Sequence, residues 1–221
     1  FKINRMPDWE GDEAYRDSVV AALDLSLLML TEDYAKIVDL EEIAEQSYDF
    51  MEAYLMAKEA ANEKQSRVNQ AVANEQKRFA EENDITLVDS DDQLSKNLEA
   101  ANEMFSYYND VYLVFFKSYL QEGYLIEAAG TGDMSAIEQN KSALESYAKE
   151  GREKLNELGN FKGDLTLKTA CLKLMDFYLD EATTKGKVMT DFFLEKERFE
   201  KIAAAMEGNK RPTQEEVDQY N

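Results

Sequence analysis

Apolar residues recur every three to four positions along almost the whole chain, the period of an amphipathic α-helix. Five helices follow. The first covers residues 12–30 and turns Tyr15, Val19, Ala22, Leu23 and Leu27 inward. It ends at a break near Thr31, Glu32 and Asp33, where Thr and Asp can cap a new helix. The second covers residues 39–83, with Leu40, Ile43, Ser47, Met51, Tyr54 and Leu55 as its early stripe. Beyond Lys58 the stripe thins to Ala61, Val68, Val72 and Phe79, so this half is an exposed arm or packs along one narrow seam. The third covers residues 93–129, opened by Asp91 or Asp92 as N-cap. Gly130 suits its left-handed stop, and Asp133 caps a fourth helix over residues 134–158. The run from Gly159 to Asp164 repeats that chemistry before a fifth helix over residues 165–206. Gly208-Asn209 ends it, and Thr213 with Glu216 reads as a capping box for one more short turn.

The expected fold is all-α: an antiparallel bundle of about five long helices, with a protruding arm if the seam is free. Residues 12–208 read as one domain, after an extended segment (1–11) and before a tail (209–221). Ile85 to Val88 alone have β character, too few residues for a sheet. Pro7 and Pro212 are the only prolines, so none interrupts residues 8–211. A thin internal likeness links Tyr15-Arg16-Asp17 to Tyr108-Asn109-Asp110, each opening an apolar helix.

The third helix carries FSYYNDVYLVFFKSYLQEGY, which holds eight of the 24 aromatic residues. Ala101, Phe105, Tyr108, Tyr112, Phe115, Tyr119 and Ile126 form one stripe, interrupted by Glu122; Leu113, Phe116, Leu120 and Tyr124 form a second. Two stripes require two neighbours, which places this helix at the bundle centre. Its apolar run between Asp110 and Lys117 is far short of the roughly 20 residues of a membrane span. The tyrosine hydroxyls need partners when buried. Those partners are helix carboxylates such as Asp176 or Asp180, or a ligand held near Tyr108, Tyr112, Tyr119 and Asp176.

The net charge of −21 repels phosphate backbones and anionic membrane surfaces, leaving basic proteins and cations as the charged partners it favours. The chain has no histidine, which removes the Ser-His-Asp triad, the usual zinc sites and the Glu-x-x-His di-iron bundle. Its single cysteine, Cys171, lies in an apolar helical run with no cluster of basic residues beside it, and reads as a small buried hydrophobe. Glu41, Glu45, Asp49 and Glu52 fall at helical spacing, a repulsive face that a cation or basic partner would relieve. Asp89, Asp91 and Asp92 lack the glycine and distal glutamate of a calcium loop, so capping explains them better. Gly130-x-Gly132 precedes an aspartate, not the Lys-Ser/Thr of a phosphate loop. No catalytic residue, metal ligand or cofactor is expected.

The run GNFKGDLTLKTACLKLMDFYLDE, followed by VMTDFFLEKERFEKI and RPTQEEVDQYN, resembles a family of all-helical surface lipoproteins of Gram-negative bacteria, of spirochaete and Bacteroidetes type. In that family a Gly-Asp pair opens a long helix bearing a Phe-Tyr pair, and a Phe-containing segment and an Asn follow. The matching residues here are Gly163, Asp164, Phe177, Tyr178, Asp191, Phe192, Phe199 and Asn221. The likeness covers the C-terminal part well and the rest in outline, and its motifs are not catalytic. It implies a cell-surface or periplasmic location and a lipid anchor upstream of Phe1; the family's lipid-bearing cysteine is absent from this N-terminus, so export rests on the resemblance alone. The functional expectation is a non-enzymatic helical protein that binds an unidentified protein or small ligand or serves structurally; the alternative is small-molecule or cation binding beside the tyrosine-rich helix.

Overall fold

The computed structural model describes residues 2–88, 93–207 and 213–214. The protein is an all-α helical bundle, and no strand occurs among the described residues. In chain order it has α1 (Ala14–Leu28), one π turn (Met29–Asp33), α2 (Tyr34–Ile43), a 3-10 turn (Ala44–Gln46), α3 (Tyr48–Glu82), α4 (Gln93–Thr131), α5 (Met134–Glu157), α6 (Thr166–Asp180), a second π turn (Glu181–Lys185) and α7 (Gly186–Glu207). No helix among the described residues is long and apolar enough to cross a membrane. The Asp91/Asp92 cap, the Gly208-Asn209 stop and Glu216 of the capping box lie outside the described residues.

The break expected at Thr31 to Asp33 is a wide turn through which the helix continues. Met29 and Tyr34 keep helical φ and ψ, and the Thr31 hydroxyl donates back to the Leu27 carbonyl at 3.0 Å instead of capping. The chain reverses at Ser47, whose backbone is extended (φ −156°, ψ 161°) and whose Oγ accepts from the Phe50 amide at 3.2 Å. Glu41 lies on α2, Glu45 in the 3-10 turn, and Asp49 and Glu52 on α3, so these four do not share one helical face. Serine was read as a stripe position; its hydroxyl does more as a cap.

The described residues gather into two compact units whose boundary falls between Asn109 and Asp110, inside α4; the sequence reading took residues 12–208 as one domain. At about 1.5 Å per residue, the 39 residues of α4 run to nearly twice the length of a 20-residue helix. In the first unit α1 and α2 both pack on α3. Met29, Ile37 and Ala61 form one core cluster with Leu25, Tyr54 and Ala57, and Ala44, Met51, Leu55 and Ala80 are buried as well. Leu23 and Leu27, expected inside, are exposed instead. The thin second half of α3 is a packed seam, not a free arm: Phe79 meets the rings of Trp9 and Tyr15, and Arg78 holds Asp12 at 2.9 Å.

In the second unit α5 packs on α6 and α7. The second half of α4 joins them through Lys117–Glu150 (2.8 Å), Gln121–Asn140 (2.8 Å) and Ser118–Met175 (3.6 Å). Ile137, Leu144, Ala148, Leu155 and Met175 are wholly buried. Gly151 allows the closest approach: a Cβ there would lie 2.7 Å from Met175 Sδ and 2.9 Å from Val114 Cγ1.

One local structure occurs twice, shifted by 152 residues: Ala14 to Thr166, Met29 to Glu181, Tyr34 to Gly186. Each copy begins with an aromatic-x-Gly-Asp turn, Trp9 to Asp12 and Phe161 to Asp164, closed by a two-residue bridge with both central residues at positive φ. The aspartate then accepts from the amide two residues on (Ala14, 2.9 Å; Thr166, 2.6 Å), which holds each aspartate's carboxyl below its usual range, with Arg78 adding to the effect at Asp12. A helix of 15 residues and a π turn of five follow in both. Thr183 bonds back to Leu179 (2.7 Å) as Thr31 does to Leu27. The thin likeness between Tyr15 and Tyr108 is not this repeat.

Candidate functional site

The inward face of α4 in the second unit is Val111, Ser118, Gln121, Leu125 and Ala128, all buried and at alternating steps of three and four once Val114 is included. Of the two aromatic stripes, Phe116 alone is as deeply buried, at 2% exposure. The two buried polar residues have partners: Gln121 donates to Asn140 Oδ1, Asn140 donates back to the Tyr124 carbonyl at 3.2 Å, and Ser118 meets Met175 Sδ. The hydrophobic pattern missed them because a satisfied Ser or Gln packs like an apolar residue.

The four residues read from the sequence as a ligand site are divided between the two units. Tyr108 belongs to the first unit and Tyr112, Tyr119 and Asp176 to the second. Tyr108 and Tyr119 are 44% and 51% exposed. Asp176 is exposed and pairs with Arg152 at 3.0 Å. Tyr112 stacks on Phe116 (5.7 Å between centroids) and Tyr119 on Phe115 (5.4 Å), so their rings are engaged along α4 itself.

Tyr119 does border a different group. Tyr178, buried near the end of α6, and Glu181, first residue of the second π turn, face Tyr119 and Glu122 of α4. Burial, then the Glu122 charge, push the Tyr178 hydroxyl above its ordinary range. Burial, Glu122 and Asp180 raise the Glu181 carboxyl, against the pull of Lys185. Glu181 Oε2 is buried with no donor on it. Glu122 thus lies against both groups, and its charge disfavours ionisation of each. The duplicated turn explains why Glu181 is unusual: its counterpart is Met29, 2% exposed in the core of the first unit. The signal available in the sequence was an acidic residue at the repeat position occupied by methionine.

Two other features complete the chemistry of this unit. Cys171 is buried, its Sγ 3.9 Å from the Val111 carbonyl, and burial pushes its thiol up to about 11. An open groove of about 480 Å³ lies between the α4–α5 turn and α7, lined by Gly132, Asp133, Phe193 and Lys196 among others. Its charges are matched nearby: Lys196 reaches Glu200 at 3.9 Å and Glu197 reaches Lys201 at 2.6 Å. Among the described residues no group of three or more acidic or cysteine side chains is placed to hold a metal. No family model, curated protein or solved structure matches the chain.

Proposed function

We propose that this is a non-enzymatic helical binding protein of the cell surface or periplasm, which uses acidic helix surfaces to hold a basic partner. The observation that carries the reading is the surplus of carboxylates, 46 against 25 basic residues, set beside exposed apolar side chains on the same helices. Such a surface attracts cationic partners at long range and offers apolar contact once they arrive. The envelope location and the lipid anchor rest on the resemblance of the Gly163-Asp164 to Asn221 region to the helical lipoproteins. The test is retention of basic envelope proteins on the immobilised chain. Saturable binding that weakens with salt supports the reading; equal retention by an unrelated protein of similar negative charge removes it.

The carboxylates Glu122 and Glu181 beside Tyr178 support a second reading, in which a small cation or an amine binds there. A panel of inorganic cations and small amines would then raise the melting temperature of the native chain and not of Glu181→Gln, since a ligand stabilises the state it binds. Equal shifts in both proteins count against it.

A further inference from the structure

Leu23, Leu27, Leu30, Tyr34 and Val38 are each between 38 and 65% exposed, and they follow one another at steps of four, three, four and four along α1, the first π turn and α2. The extra residue of the π turn shifts the later members only part of a turn, so the five form one ridge of about four helical turns, away from the core side chains Met29 and Ile37. Single exposed apolar residues are ordinary; a continuous ridge is a contact surface. We infer that this ridge is the docking surface for a cationic amphipathic helix of a protein partner. The inference rests on the binding function proposed above and names its surface.

Charge decides the occupant. Residues 12–46 hold ten acidic residues against Arg16 and Lys36. Arg16 is already taken by Glu13 and Asp17, at 3.3 and 2.8 Å. Asp24, Glu32, Asp39 and Glu42 are exposed and have no salt bridge among the described residues. A second copy of the same acidic surface meets like charge, and an anionic membrane meets the same repulsion. A helix with leucine-like residues every three or four positions and lysine or arginine on its flanks satisfies both the ridge and its border, by the packing of one helix's side-chain rows against another's.

The probe is a dye-labelled Leu/Lys peptide helix of about four turns, titrated into the full chain and read by fluorescence anisotropy. The contrast peptide has the same lysines with serine for leucine. The inference expects saturable binding of the first, weakened by raising NaCl from about 0.05 to about 0.5 M, and at least about tenfold weaker binding of the second. Leu30→Ser with Val38→Ser should weaken the first peptide about tenfold or more, with circular dichroism unchanged. Val188→Ser with Phe192→Ser, on α7, should leave it unaltered. Equal loss from both double variants, or none from the ridge variant, overturns the ridge while leaving a basic partner elsewhere open. Failure of both peptides to bind overturns the inference; the envelope-protein test judges the wider reading separately. A native dimer that becomes a monomer in the ridge variant, seen by sedimentation, also overturns it, because the occupant is then a second copy.

Discussion

Replacing Glu181 by methionine should stabilise the second unit at neutral pH. The substitution puts at Glu181 the residue its counterpart carries, since Met29 fills the same place of the first π turn at 2% exposure. It removes the buried, donorless Oε2 and the contact with Glu122. A buried polar group without a partner costs about 1–3 kcal/mol, and partial solvent access at Glu181 places the gain near the lower end, about 1 kcal/mol. In a chain of this size that is about 2–4 °C of melting temperature. Because the folded carboxyl is raised, its contribution is fully favourable below the unfolded value and is lost as pH rises through the folded one. The gain from Glu181→Met should therefore grow with pH across that window and vanish on the acid side. Two probes separate the units in a urea titration: Trp9 fluorescence reports the first, and reactivity of Cys171 reports the second. The Cys171 transition should move and the Trp9 transition should not. A destabilised variant, or a gain independent of pH, would show that Glu181 is satisfied in the native protein and that the reasoning fails.

Other substitutions test the packing. Gly151→Ala and Gly123→Ala gain the same helix propensity, up to about 1 kcal/mol, but only Gly151 sits against Met175 and Val114. Urea denaturation should find Gly123→Ala stabilised by that amount and Gly151→Ala destabilised by about 1–2 kcal/mol net. Ser47→Ala should lose about 1 kcal/mol through the N-cap of α3, measured the same way. Cys171 should resist thiol reagents at mildly alkaline pH until denaturant opens the second unit, because burial holds its thiol near 11; fast labelling of the native chain contradicts its place in the core.

The helical class and most helix limits were legible because the apolar period and the Gly/Asp connectors are local signals. Asp133 caps α5 through the Ala136 amide at 3.0 Å as its position suggests, although Gly132 and not Gly130 takes the left-handed conformation. What depended on packing was harder to read. The aromatic stripes of α4 looked like core; Phe116 is inside, but so are Ser118 and Gln121, while Tyr119 and Tyr124 are exposed. Ring size alone does not decide burial, and the close approach at Gly151 is filled by Val114 and Met175, not by a ring. The first π turn reads as a break because threonine is a good cap, and the second reads as part of one continuous helix; the hydroxyls of Thr31 and Thr183 bond to the preceding turn, which the pattern alone does not distinguish. The duplicated aromatic-x-Gly-Asp turns were present in the sequence as WEGD and FKGD, and their likeness becomes informative once the helices after them prove equal in length. With that repeat in place Glu181 stands out; without it, it is one acid among many.

The most direct test of the proposed function is binding of basic envelope proteins to the immobilised full chain, measured against increasing NaCl and against an acidic control protein of the same net charge. The account predicts saturable retention on this chain that exceeds the control and falls steeply with salt. Retention no greater than the control, or none, contradicts it.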